Sequence, residues 1–224
     1  MTLIAEDLLL LLLDDEKGKL TSTSYPHTVL GGAVLLELAL AGAVEVRKEG
    51  AWRSAKVHPT GTPAPEDAVL TRALATIGER PRTAQDLVNR LGKGLKQTLA
   101  DRLVAAGMLE RREDRVLGLF PRTRWPVADA AHEDDVRRRL SAVLVQGLTP
   151  DERTAALVAL LHAIGRAHKV VPRDGVSSSQ VKRRAKDIAE GAWAAKAVKD
   201  AITAATAAVT AAVMASTAAA SGGS

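Results

Sequence analysis

The chain is 224 residues long, carries 31 Lys and Arg against 26 Asp and Glu, and has no cysteine. A net charge of +5 and a pI near 9.7 suit an anionic partner: nucleic acid, lipid head groups or a phosphorylated ligand. Missing thiols exclude a disulfide framework and thiolate-bound zinc, and an aromatic content of only 2% leaves the core to Leu, Val and Ala.

Six consecutive leucines, Leu8 to Leu13, stand between Glu6-Asp7 and Asp14-Asp15. A bilayer-spanning helix needs roughly 20 apolar residues, and a signal peptide needs a basic start and a small-residue cleavage site. The run is too short and has acidic flanks, so it predicts a helix buried on most sides. Asp14 to Lys19 reads as a turn, and Leu20 to Thr23 as a short strand.

Thr28 to Val46 begins as an apolar helix that Gly42 stops. Alternating apolar and polar residues around Glu49-Gly50 then predict a β-hairpin, followed by a Pro- and Gly-rich loop. Glu66 to Glu79 is an amphipathic helix, and Thr83 opens another, with Asp86 in the capping arrangement. A helix from Leu95 stops at Gly107 and leads into a second hairpin, expected to turn at Glu113-Asp114. His132 to Gly147 starts with acids and continues with arginines, matching the helix dipole. Thr149 is the expected cap of the next helix, with Pro150 in its first turn, and Ser177 with Gln180 caps the last. From Thr203 the chain is Ala and Thr without charge, read as a frayed helix and disordered tail. The fold class is mainly α: one domain over residues 1–202, with short β-hairpins, and a tail over 203–224.

Catalytic constellations are scarce. A nucleophile would have to be Ser, Thr or Lys beside a histidine base. His27, His58 and His132 fall in loops or at helix starts, and His162 lies on an apolar helix. His162 and His168 are six apart, which does not place them on one helix face. Gly31-Gly32 and Gly92-Gly94 lack phosphate-loop spacing. The sequence reads as a non-enzyme, with no metal and no cofactor.

Three basic clusters remain: Arg115, Arg122, Arg124 with Trp125; Arg137, Arg138 and Arg139; and Lys182, Arg183, Arg184 and Lys186. A hairpin ending in Arg124-Trp125 and feeding an arginine-bearing helix suits a phosphate head group at a membrane surface. Two rivals stand beside this reading. Residues from Thr83 to Phe120 follow the order of a winged-helix unit, whose reading helix, Lys93 to Ala106, would offer Lys93, Lys96, Gln97, Asp101 and Arg102 to DNA. A ligand-free adaptor that self-associates is the third.

The acid-flanked leucine run, "LGGAVLLELALAGAVEV", "LADRLVAAGMLERREDRVLGLFPRTRWP", "VRRRLSAVL" and "ALLHA" resemble, in order and spacing over about residues 2 to 202, the Golgi phosphoprotein 3 family. The resemblance implies a central hydrophobic helical bundle surrounded by amphipathic helices, with a projecting apolar β-hairpin. It also implies peripheral membrane binding to phosphatidylinositol 4-phosphate, through a pocket tryptophan, an arginine opening the second helix, and basic residues on the "VRRRL" helix. Carried across, Arg139 matches a pocket arginine, with Arg137 and Arg138 beside it, and Ala142 occupies the next basic position. Gly31 stands where the helix-start arginine would be, and Tyr25 is the ring nearest the tryptophan's place. The expected ligand is an anionic phospholipid, bound from the cytoplasmic side of a bacterial membrane through Arg124, Trp125, Arg137, Arg138, Arg139, Tyr25 and Gly31. Nucleic acid is not the favoured partner, and a homo-oligomer is possible.

Overall fold

The computed structural model describes residues 2–14, 18, 20, 26–48, 54–116, 120–173, 175–191 and 200–211. It is mainly helical, with two small antiparallel hairpins. In chain order the elements are α1 (Ile4–Leu12), α2 (Pro26–Leu40), β1 (Val44–Arg47), β2 (Lys56–Pro59), α3 (Ala68–Gly78), α4 (Ala84–Gly92) and α5 (Leu95–Ala105). Then come β3 (Arg112–Val116), β4 (Phe120–Arg124), α6 (Ala131–Leu144), α7 (Glu152–Ala163), a 3-10 turn (Ala167–Lys169) and α8 (Ser178–Ala189). Residues 200–211 are also helical.

The leucine run forms α1, and every residue from Ile4 to Leu12 is buried. It sits at the centre, against α2, α5, α6 and α7. A helix enclosed on all sides has no solvent face on which to place its acids, yet Glu6 and Asp7 are 4% and 2% exposed. Both are satisfied from distant elements. Arg102 of α5 donates from Nε to Glu6 at 2.7 Å and bridges to Asp67 at 2.7 Å. Asp7 receives His132 Nε2 at 2.7 Å and Arg153 Nη2 at 3.2 Å. Arg153 also holds Glu37 of α2 at 2.5 Å and donates to the Thr2 carbonyl. The carboxylates close the helix start as well, since Leu3 N donates to Glu6 and Ile4 N to Glu37. Such amides have no partner within the helix itself. Burial raises the Glu37 carboxyl above its usual range, against the pull of Ile4 N and Arg153.

Helix α2 lies on α4 at very short range. A Cβ on Gly31 would fall 2.0 Å from the Val88 carbonyl oxygen, and one on Gly92 would fall 1.7 Å from that of His27. Only glycine permits that crossing. Thr28 Oγ1 adds a bond to Asn89 at 2.8 Å.

Most boundaries follow the local signals. Gly42 and Gly107 end their helices at φ +69° and +74°. Thr83 caps α4, and Ser177 with Gln180 forms a capping box on α8. Two expectations change. The cap of α7 is Asp151, whose carboxylate accepts from Thr154 N at 2.7 Å and from its hydroxyl at 2.9 Å; this places Thr149 before the helix. The second hairpin does not turn at Glu113-Asp114: Glu113 pairs with Thr123 and Asp114 with Arg122, and pairing continues to Val116 and Phe120. Charges that read as a turn are paired rungs of the ribbon's stem. The helical stretch 200–211 includes the expected limit at residue 203, and Ala201, Ile202, Ala205, Ala208 and Val209 in it are buried. Small side chains here pack as core; residues 212–224 lie outside the described region, as do Thr21 to Thr23 of the expected first strand.

Candidate anionic head-group site

The β3–β4 ribbon gathers the first basic cluster. Residues directly opposite one another in an antiparallel pair project to the same side, and alternate residues along a strand share that side. Arg112 faces Arg124, and Arg122 lies two residues from Arg124 on β4. One face of the stem therefore carries three guanidiniums, with Asp114 at the position opposite Arg122. Arg112 is paired with Glu110 at 2.8 Å. Beyond the stem the sequence reads Val116-Leu117-Gly118-Leu119-Phe120, with residues 117–119 outside the described region.

Trp125, expected as an indole at the membrane interface, is 6% exposed and belongs to the core. Its backbone N donates to the Gly18 carbonyl at 3.1 Å, which draws the end of β4 against the segment after α1. The Lys96 ammonium sits 4.7 Å from the centre of the ring, a cation–π contact. Burial lowers the affinity of Lys96 for its proton. The indole thus braces the hairpin base from inside, because an apolar ring packed against α5 is more stable than one left in water.

The α6 arginines are held by acids of the same helix. Arg137 donates from Nε to the buried Glu133 at 2.9 Å and from Nη1 to the Val170 carbonyl at 2.9 Å. Its role is to pin the segment after the 3-10 turn. Arg138 and Arg139 share one carboxylate, Asp135, at 3.1 and 3.0 Å. Two cations on one anion leave a net positive charge on that face, and the Arg138 side chain is 75% exposed. Gly31 is buried in the α2–α4 crossing and offers no surface to a head group. Tyr25 lies outside the described residues.

The third cluster divides by role. Arg184 donates to the Leu144 and Val145 carbonyls, closing the C-terminal end of α6, where a cation also complements the dipole. Lys186 stands 3.8 Å from Glu190. Among the described residues no group of three His, Asp or Glu could hold a metal ion, and no helix is long and apolar enough to cross a membrane.

The family model of Golgi phosphoprotein 3 (GPP34) matches residues 4–205. The chain belongs to the Golgi phosphoprotein 3 family. The match takes in all the named elements, from α1 to α8, and runs into the helical stretch at 200–211. A search of curated proteins returns no match. Membership in the GPP34 family suggests a non-enzymatic role in binding lipid or protein. Within this GPP34 domain the inward-facing acids of α1 were not legible as paired groups, since their partners lie 96, 125 and 146 residues away. Lys96 was equally hidden, because only the fold brings it to Trp125.

Proposed function

We propose that this GPP34 domain is a non-catalytic peripheral membrane protein that binds anionic phospholipid head groups from the cytoplasmic side, phosphatidylinositol 4-phosphate among them. The observation that carries the reading is the register of the β3–β4 ribbon. It sets Arg112, Arg122 and Arg124 on one face of the stem, and the sequence that joins the two strands, Leu117-Gly118-Leu119, is apolar. An apolar sequence ahead of a cationic stem suits acyl chains lying beneath a layer of phosphates. Arg138 and Arg139 supply further positive charge on α6. Each basic side chain near an anionic surface contributes about 1 kcal/mol. Four of them give roughly 4 kcal/mol, a reversible contact of about millimolar strength before the apolar turn adds to it.

The arrangement of α5 favours this reading over duplex DNA. Arg102 is committed to Glu6 and Asp67, Gln97 donates to Asp101 at 2.8 Å, and Lys96 covers Trp125. A reading helix needs such side chains turned outward to base edges.

The deciding experiment is sedimentation with vesicles of neutral phosphatidylcholine, the same lipid with phosphatidylserine, and the same lipid with phosphatidylinositol 4-phosphate at equal surface charge. Duplex DNA is assayed alongside at matched ionic strength. Recovery rises with anionic lipid, falls with salt, and drops in R122Q/R124Q and in R138Q/R139Q. Equal recovery on neutral and anionic vesicles, or tighter binding to DNA, overturns the proposal.

A further inference from the structure

A wide groove of about 920 Å³ opens between the 3-10 turn and the start of α8, lined by His168, Lys169, Arg173 and Ser178 among others. Its floor is fixed by ordinary packing. Ala167, Val170 and Val171 are buried, Arg137 holds the Val170 carbonyl, and the Ser177–Gln180 capping box sets where α8 begins. The segment presents Lys169 and Arg173 at the groove beside Val171, Pro172 and Val176.

Among the described residues the charges acting on His168 are positive: Lys182, Lys169, Arg173 and Arg166. Burial first, and these charges after it, hold its imidazole below the usual value. Its Nδ1 is enclosed and has no hydrogen-bond partner among the described residues. Arg173 donates to the Ser178 hydroxyl. Arg90, Arg102 and Arg153, by contrast, are matched to Asp86, Glu6 and Asp7. Lys169, Arg173 and Lys182 make no ion pair among the described residues. Like charges gathered in a concave site repel one another and raise the local concentration of anions. An arginine fork beside a hydroxyl and two ammonium groups matches the three oxygens of a phosphate.

We infer that this groove binds a phosphomonoester, with Arg173 and Lys169 around the phosphate, Ser178 as a hydroxyl partner, Lys182 adding charge from one helical turn further along α8, and the remaining volume left for the group the phosphate is attached to. The residues differ from those of the hairpin and α6, so the inference stands independently of the head-group proposal.

The test follows the full chain by ¹H–¹⁵N spectra during titration with inorganic phosphate, against sodium chloride at equal ionic strength. Phosphate produces saturable shifts at His168, Lys169, Arg173, Ser178 and Lys182, and moves the His168 titration to higher pH; chloride does neither. R173Q/K182Q weakens phosphate binding by about tenfold or more, the worth of two charge-assisted contacts. R173K retains most of it, and R72Q/R80Q, an equal loss of charge elsewhere, leaves it unchanged. Circular dichroism confirms that each variant is folded. Vesicles of phosphatidylcholine with phosphatidic acid separate the two sources of the phosphate. Sedimentation displaced by inorganic phosphate and lost in R173Q/K182Q identifies a lipid phosphate; sedimentation indifferent to both identifies a soluble ester. Shifts that are absent, that spread over the whole basic surface, or that persist in R173Q/K182Q overturn the inference. Loss of vesicle binding in the hairpin variants with intact phosphate shifts would fault neither site.

Discussion

The imidazole Nε2 of His132 lies 2.7 Å from Oδ1 of Asp7, a carboxylate that is only 2% exposed. The two residues are 125 positions apart, and the contact joins the first turn of α6 to the central helix. Arg153 reaches the same carboxylate from α7 and Glu37 from there. The core is thus closed at this end by charges, and its stability depends on their staying matched.

Arg153→Met removes the cation shared by two enclosed carboxylates. Leaving a buried charge without its partner costs about 3–5 kcal/mol, read as a lower urea midpoint. Arg47→Met, which breaks an exposed pair with Glu45, changes stability by about 1 kcal/mol or less. Equal effects of the two substitutions would show that the inner network carries no special weight.

Glu37 gives the pH profile an unusual segment. Burial raises its carboxyl in the folded chain above the unfolded value, so between those two values the fold keeps a proton that the unfolded chain has lost. Its contribution is full below the unfolded value and declines as pH rises through the folded one. Glu37→Gln removes that decline, which urea titrations at a series of pH values between mildly acidic and neutral would reveal as a flatter curve.

The α2–α4 crossing admits no side chain on either glycine. Gly31→Ala and Gly92→Ala drive a methyl into a backbone carbonyl, and overpacking costs about 1–3 kcal/mol or more. Both lower the thermal midpoint, whereas Gly61→Ala, a site with open space but a φ of +95°, tests backbone strain without a clash.

At the start of α7, Asp151→Ala costs about 1 kcal/mol, the usual worth of an N-cap side chain, while Thr149→Ala stays within about 0.5 kcal/mol. The reverse order would return the cap to Thr149.

That last pair shows how far the residues speak for themselves. A Thr-Pro-Asp-Glu string holds two good caps, and composition alone does not choose between them; Thr154, offering both an amide and a hydroxyl, decides for Asp151. The leucine run, the glycine stops and the Ser177 cap depend on neighbours within one helical turn, so they are visible in the string. Glu6, Asp7 and Trp125 depend on residues brought from other elements, and flanking acids next to an apolar run look the same whether solvated or enclosed. The hairpin misled for a related reason: Glu113 and Asp114 are poor strand formers taken singly, but a ribbon can pair charges across its rungs. The groove at the start of α8 was legible only as scattered cations, since nothing in their spacing says that a segment between them will fold inward.

Central placement of α1 has a consequence during synthesis. Its leucines and both its acids leave the ribosome early, but the arginine that Asp7 requires follows 146 residues later. At bacterial to eukaryotic elongation rates that interval is roughly 7–30 s. Throughout it the greasiest segment of the chain has no finished shell to enter. The nascent polypeptide is therefore expected to need a holding chaperone, and a stall before Arg153 to yield an aggregate rather than a half-built domain.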